Sequence, residues 1–502
     1  MEYKISGKSK SLWVDTTPTT NFPKLKEGLN VDVVVLGGGI AGITTAIMLK
    51  KAGKKVAVIE SGRIIKDITS TTTAKISAHI FFYNMYMQTI GKEKTNDYAI
   101  ANLKAVETIS NLVSEYEIDC DFRRVPCYLY TESEQEIDVF KAEAELASEI
   151  GLPAEYTADI PVSSKAKAGL VYQNQAEFHP RKYLLALSKE IDKEGSYVFE
   201  NTRALDITEG SPYTIITDQG PIKADKVVVA THLPIYDPDR LYTQMKINRS
   251  YTMAFYAKEA FPIGMFVCIN PFHTYRSTPT PKGELIIIAG EHQAVGDASD
   301  TMKCYKNLEK YSAENWDIES IEYHWVNQDN TTPDGIPAIG ETSKPGIYVA
   351  TGFGGWGMTH GTTTGLLLAD LMIGKENSIA ELFDPLRFKN NEPVVQDIDE
   401  KLEIRDKFEE NKVSWPDNLK IPKLSDNESV LLSHGEEKFS AYKDKNGNIH
   451  RLQAICTHRG CTLVWNTAEK TWDCPCHGSR FNYDGKVIHG PAITDLKNYS
   501  KT

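Results

Sequence analysis

Apolar and polar positions change rhythm several times along the chain, and each change predicts a different element. Val31–Leu36 is a short, mostly β-branched apolar run, the pattern of a strand buried on both faces. Glycines follow at 37, 39 and 42, then a helical stretch, then a second short strand over Lys55–Ile59. Spacing of apolar positions predicts a helix over 95–118, a strand-like run over 122–131 and another helix over 136–151. Residues 250–292 break into successive β-branched and aromatic runs, predicting several strands. "GIYVATGFGGWGMTHGTTTGLLLADLMIG" (346–374) predicts a strand over Ile347–Thr351, a glycine turn and a helix over Thr362–Ile373. Residues 389–430 are charged and carry Pro393, Pro416 and Pro422, which predicts a connector. Beyond them the chain turns to short strands, with a hairpin expected at Asn446-Gly447.

At 502 residues the chain is too long for one core, so several domains are expected. A net charge of −12 argues against nucleic acid as a partner, because phosphate binding needs basic patches. The longest apolar runs, near Val33–Leu36 and Leu366–Leu368, fall far short of the roughly 20 residues of a membrane helix. The first residues lack the apolar segment of a signal peptide, so the cytoplasm is the expected location. Of eight cysteines, Cys120, Cys127, Cys268 and Cys304 are scattered and read as buried thiols. The other four share twenty-one positions near the end.

Strand, glycine turn, helix, strand and acid in that order make a dinucleotide site. Gly37 permits the tight turn, Gly39 lets backbone approach a pyrophosphate, and Gly42 lets helix pack on strand. Glu60, at the end of the second strand, is placed to accept hydrogen bonds from ribose hydroxyls. Gly352, Gly354 and Gly357 match the same spacing. No second strand or acid follows them, so a second nucleotide unit is rejected in favour of a chain return that sets a helix N-terminus against the cofactor. Together "VVVLGGGIAGITTA", "VAVIES", "DKVVVATH" (225–232), "DGIPAIG" (334–340) and "IYVATGFGGWGMTHG" (347–361) resemble the D-amino-acid oxidase and glycine oxidase family of FAD enzymes. The resemblance implies an α/β, Rossmann-like FAD-binding domain with an inserted antiparallel-sheet substrate domain. It places Thr72, Thr73, Ala74 and Lys75 along the isoalloxazine. Ala230 and Thr231 fall in the FAD domain, and Gly355, Trp356, Met358 and Thr359 join the glycine turn beside the ring. No histidine or cysteine suits covalent attachment, so non-covalent FAD is expected.

For the substrate side, Arg276 is a candidate carboxylate clamp. Trp325, Gln328 and Asp329 stand just before the FAD-return motif, and Trp356 lies within it. Each tryptophan also suits a plain core position. His179, before Pro180, reads more readily as structural than catalytic. No general base stands out. That suits hydride transfer from carbon to flavin, in which geometry does most of the work.

Within "CTHRGCTLVWNTAEKTWDCPCHGSRF" (456–481), Cys456 and His458 form one pair, Cys474 and His477 another. By spacing alone, two thiolates and two imidazoles also suit zinc. An extra cysteine in each loop, with the texts "CTHRGC" and "CPCHGS", gives the stretch a close resemblance to the Rieske [2Fe–2S] family over about 425–495. That resemblance implies a small all-β domain in which Cys456 and Cys474 bind one iron, His458 and His477 bind the other, and Cys461 and Cys476 form a disulfide. "GPA" (490–492) matches the family's proline loop. Ser479 matches a cluster hydrogen-bond donor of respiratory Rieske domains, whereas Phe481 stands where they carry a donating tyrosine. Fewer donors lower the expected potential.

The expected partition is an extension over 1–30, an FAD-binding domain over 31–95, 165–240 and 331–375, a substrate domain over 96–164 and 241–330, a connector over 376–424, and a Rieske domain over 425–502. The expected activity is dehydrogenation of an amine or amino acid, with electrons relayed singly through the cluster to an external redox partner. The same relay run in reverse and a redox sensor are the alternatives. A Rieske oxygenase is disfavoured, since the other histidines show no close helical pair for a mononuclear iron site.

Overall fold

The computed structural model describes residues 5–79, 81–296, 301–391 and 414–500. The part of the expected connector over 392–413 lies outside the described residues. Two large sheets and two small ones organise the chain. The first large sheet has a parallel centre in the order Ile347–Thr351, Gly220–Val229, Leu29–Leu36, Val56–Ile59, Tyr197–Phe199, with Ala338–Glu341 antiparallel at one edge. Val34, Val35, Val58 and Val228 have no exposed surface, as parallel strands covered on both faces require. Helices Ile40–Lys51 and Gly357–Met372 cross beside this sheet. A side chain at Gly361 would strike Ile40, and one at Gly365 would strike the Thr44 backbone, so the two glycines set how closely the helices approach. The second of these helices begins at Gly357, five residues before the expected start. Gly357 is absent from the residues with positive φ, so the last glycine of the turn already continues into helix.

The second large sheet has ten strands, running from Lys8–Ser9 through Ile318–Thr331, Lys246–Ala257, Gly283–Ala294, Phe272–Thr280, Met265–Ile269, Arg123–Thr131 and Ala168–Glu177 to Lys75–Ile76. Ala154–Thr157 pairs beside Ala168–Glu177. Two pieces expected in the FAD-binding domain therefore lie in this sheet. Ala168–Glu177 pairs with Arg123–Thr131, and Lys75–Ile76 pairs with Ala168–Glu177. A buried strand has the same apolar pattern whichever sheet it joins, so its partner is not readable from that pattern.

The C-terminal unit is two antiparallel sheets: Ser429–His434, Glu437–Lys443 and Ile449–Gln453, then Val464–Asn466, Thr471–Asp473, Arg480–Asn482 and Val487–His489. The Asn446-Gly447 hairpin turn is present, with Gly447 left-handed at φ +86°. This unit docks on the rest through Arg249–Asp473, Gln328–Gly478 and Tyr305–Glu469. Cys120, Cys127, Cys268 and Cys304 are buried and in no disulfide.

Candidate active site and cluster site

Between the two large sheets and the C-terminal unit lies a cavity of about 620 Å³. Of the expected FAD residues, Gly37, Gly39, Glu60, Thr72, Ala230, Thr231, Gly355, Gly357 and Met358 line it. Gly37 is left-handed (φ +109°), and a side chain there would collide with the Ala230 carbonyl. Gly42 stands behind the wall, where a Cβ would overlap the Gly37 carbonyl, so it packs helix on turn. The Glu60 carboxylate accepts from the Gly38 N–H at 3.0 Å and the Gly62 N–H at 2.8 Å. Burial raises its pKa against those hydrogen bonds. A glycine turn, a helix start and an acid on one cavity fit a bound dinucleotide.

The remaining expected FAD residues sit just outside that wall. The Ala74 carbonyl accepts from Arg276 at 2.6 Å, as does the Thr73 carbonyl at 3.4 Å. Lys75 Nζ bonds the hydroxyls of Thr73 and Thr274, and burial lowers its pKa to about 7. Gly352 and Gly354 are left-handed and form the turn. Thr359 and Trp356 both bond Ser77, through its carbonyl at 2.7 Å and its hydroxyl at 3.1 Å.

Two substrate-side expectations change. Arg276 is 1% exposed and ion-pairs with Glu177 at 3.2 Å, while also donating to backbone carbonyls. Its guanidinium ties the Thr73–Ala74 segment to the sheet and does not face the cavity. Gln328 points away from the cavity, because successive residues of a strand face opposite sides. Trp325, Asn327 and Asp329 share one face of Ile318–Thr331, and Gln328 takes the other, bonding Arg249 and the Gly478 carbonyl. Trp325 is a buried residue that donates to the Thr71 carbonyl at 2.8 Å. His179 is structural: Nδ1 caps the helix Pro180–Ile191 by accepting from the Lys182 N–H.

Asp329 lines the cavity together with Asn327. Asn327 Nδ2 donates to it at 2.7 Å, and Asn327 Oδ1 accepts from the Thr71 hydroxyl at 2.7 Å. Burial raises the Asp329 pKa to about 6, against the hydrogen bonds of Asn327 and the Gly355 backbone. It is therefore a carboxyl in the cavity suited to exchange a proton near neutral pH, whereas Glu60, also raised by burial, is tied to the Gly38 and Gly62 amides. Trp325, already a pocket candidate, supplies the phase that would have singled it out.

In the C-terminal unit two loops of matching build face each other. Gly460 N–H donates to Cys456 O and Gly478 N–H to Cys474 O, at 2.9 and 3.0 Å. Cys456 N–H donates to Cys461 O and Cys474 N–H to Ser479 O, both at 2.8 Å. Both loop glycines are left-handed. Cys456 and Cys474 are fully buried, and the His458 and His477 rings stand 5.1 Å apart and perpendicular. Cys461 and Cys476 are joined by a disulfide. Two soft thiolates and two imidazoles from paired loops fit a [2Fe–2S] cluster with mixed ligation. Ser479 accepts from the Ala492 N–H at 3.0 Å, and Phe481 is fully buried.

The two sites are adjacent. Tyr242, buried beside the large sheets, meets the rings of His477 and His458 at 4.9 and 5.6 Å. Residues 487–490, 492 and 493 of the C-terminal unit line the same cavity as the glycine turn. Nothing local in the sequence marks Tyr242, Arg249 or Val487–His489 for these places, and "GPA" (490–492) is legible only as a loop over the cluster.

A family model for FAD-dependent oxidoreductases, DAO, matches residues 32–371. A Rieske [2Fe-2S] domain model matches 414–500. The chain is 36% identical over 494 residues to "Putative Rieske 2Fe-2S iron-sulfur protein YhfW" of Bacillus subtilis (strain 168), covering 97% of each. Glycine oxidase from Geobacillus kaustophilus shares the fold with a TM-score of 0.61 at 21% identity, over 72% of this chain and 99% of that one. L-proline dehydrogenase from P. horikoshii also gives 0.61 at 21% identity, over 74% and 100%. Among the described residues no helix is long and apolar enough to cross a membrane. The chain belongs to the DAO family of FAD-dependent oxidoreductases, and it ends in a Rieske [2Fe-2S] domain.

Proposed function

We propose that the enzyme dehydrogenates an amine or amino acid and passes the electrons singly through the Rieske domain to an external acceptor, in the cytoplasm. The observation that carries this reading is the shared wall: residues 487–490, 492 and 493 of the Rieske domain line the FAD cavity, and the expected cluster histidines lie against Tyr242. A cluster meant only to sense redox state needs no such closeness. FAD supplies the hydride acceptor and the Rieske cluster a one-electron carrier. The chain's own residues bind and orient. Gly37, Gly39 and the start of the helix Gly357–Met372 hold the dinucleotide, with the helix dipole positive toward the cavity. Asp329, held by Asn327, takes up or returns a proton at its carboxylate. The amine or amino-acid class is supported by fold neighbours named glycine oxidase, L-proline dehydrogenase and L-amino acid deaminase. The reading needs no guanidinium clamp.

Anaerobic rapid mixing with a panel of amines and amino acids tests it. Flavin bleaching followed by the spectrum of the reduced cluster is expected. Bleaching with no cluster reduction would remove the relay. An added electron donor that reduces the cluster first, with the cluster then reoxidised as the flavin bleaches, would favour the reverse direction.

A further inference from the structure

We infer that the Rieske domain completes the FAD site: the strand Val487–His489 and the loop after it form a wall of the dinucleotide cavity, latched by His489 between Asp67 and His232. Three independent features meet there. His489 Nδ1 lies 2.5 Å from Asp67 Oδ2, and its Nε2 lies 3.2 Å from His232 Nδ1. Asp67 precedes the short helix Ile68–Thr71, and His232 follows the strand Gly220–Val229, so the latch grips two separate elements of the FAD unit. All three side chains line the cavity.

His232 is a rigid anchor. It has a left-handed backbone (φ +65°), which costs a non-glycine residue energy unless its surroundings hold it. Its carbonyl accepts from Asn330 Nδ2 at 2.9 Å and from the Thr351 hydroxyl at 2.6 Å. Burial lowers the His232 pKa to about 3, so the ring is neutral. The Asp67 carboxylate accepts from His489 Nδ1–H, and the remaining nitrogen of His489 meets the neutral ring. Asp67, 57% exposed, and Ile488, 44% exposed, both open on the cavity. An exposed isoleucine there is surface that a bound dinucleotide would cover.

The wall makes release of FAD conditional on the domain lifting. It depends neither on the substrate nor on the direction of electron flow, so failure of the relay would leave it standing. The test uses the full chain loaded with both cofactors. FAD release is followed by the rise in flavin fluorescence on dilution, and cluster absorbance checks that the Rieske domain stays intact. Asp67→Asn and His489→Ala are expected to speed release about tenfold or more, the loss of a charge-assisted hydrogen bond. His489→Asn, which keeps a donor near the Nδ1 position, should fall between wild type and His489→Ala. Tyr305→Phe removes the bond to Glu469, a docking contact away from the cavity, and should speed release clearly less than His489→Ala. Unchanged release in Asp67→Asn and His489→Asn with the cluster intact would overturn the inference. Acceleration by Tyr305→Phe equal to that of His489→Ala would overturn the latch, since release would then follow domain docking in general and not the His489 contacts.

Discussion

Replacing Arg249 with Met should weaken the attachment of the cluster loops to the large sheet. Arg249 and Asp473 form an ion pair with side chains 6% and 1% exposed. Asp473 directly precedes Cys474, an expected cluster ligand. Arg249 also donates to Gln328 Oε1 at 3.0 and 3.2 Å, and Gln328 Nε2 donates to the Gly478 carbonyl in the same loop. Burial pushes the Asp473 pKa up, but Arg249 and Arg480 outweigh it and hold the carboxyl below its usual range. Its contribution is therefore full above about pH 4 and lost only as pH falls further. Removing one partner of a buried pair costs roughly 3–5 kcal/mol. Arg480 Nε remains 3.5 Å from Asp473, and the Thr471 hydroxyl remains bonded to it, so the lower end applies: about 3 kcal/mol for Arg249→Met. Asp473→Asn strands Arg249 instead and should cost about the same. The double variant leaves neither charge of the pair unpaired and should cost no more than either single variant, about 3 kcal/mol or less rather than the sum. Urea titration of the loaded protein, followed through the visible circular dichroism of the cluster, measures all three. Additive losses would show that the two charges are not coupled, and the assignment of this pair as the clamp of the cluster loop would fail.

Asp329→Asn should stabilise the protein above pH 6 by about 3 kcal/mol while slowing flavin reduction, because a carboxyl raised to about 6 is destabilising once ionised. The stability gain should vanish below about pH 4, where wild-type Asp329 is protonated in both folded and unfolded chains; a gain independent of pH would refute the raised pKa. Ser479→Ala should lower the cluster potential and Phe481→Tyr raise it, each by about 20–65 mV, the worth of one hydrogen bond to a one-electron centre. The wild-type value is expected between plant-type ferredoxins and respiratory Rieske clusters, as a potentiometric titration would report. Gly42→Ala should leave iron content intact and sharply cut the flavin-to-protein ratio, since its Cβ would overlap the Gly37 carbonyl.

Both cofactor holders are legible in the sequence for the same reason: few residues can do what they do. Gly37 must be left-handed and Gly42 must lack a side chain, so the glycine spacing is close to a statement of backbone geometry. The loop cysteines and histidines are chosen by ligand chemistry, and the glycines four places after Cys456 and Cys474 by the turn each loop makes. Gln328 and Asp329 mark where that kind of legibility stops. Alternation along the strand is certain, but its phase depends on which face meets the cavity, and one apolar pattern fits either phase. Trp325 settles the phase through its bond to Thr71, which joins two distant segments. Arg276 fails in the same way: a buried arginine is recognisable as needing an acid, but the acid is Glu177, on another strand of the sheet.

The arrangement of one site against the other lies further out still. Asp67 and His489 are separated by 422 positions, each unremarkable in its own surroundings. Ile488 looks like an exposed apolar residue until the cavity beside it is known. Periodicity reports on one element and ligand spacing on one loop, whereas docking is decided by complementarity between surfaces that neither signal describes. The adjacency of the FAD cavity and the Rieske histidines, on which the relay rests, is thus a property of the folded interface. Its energetic signature is the coupling between Arg249 and Asp473, whose side chains pair across that interface.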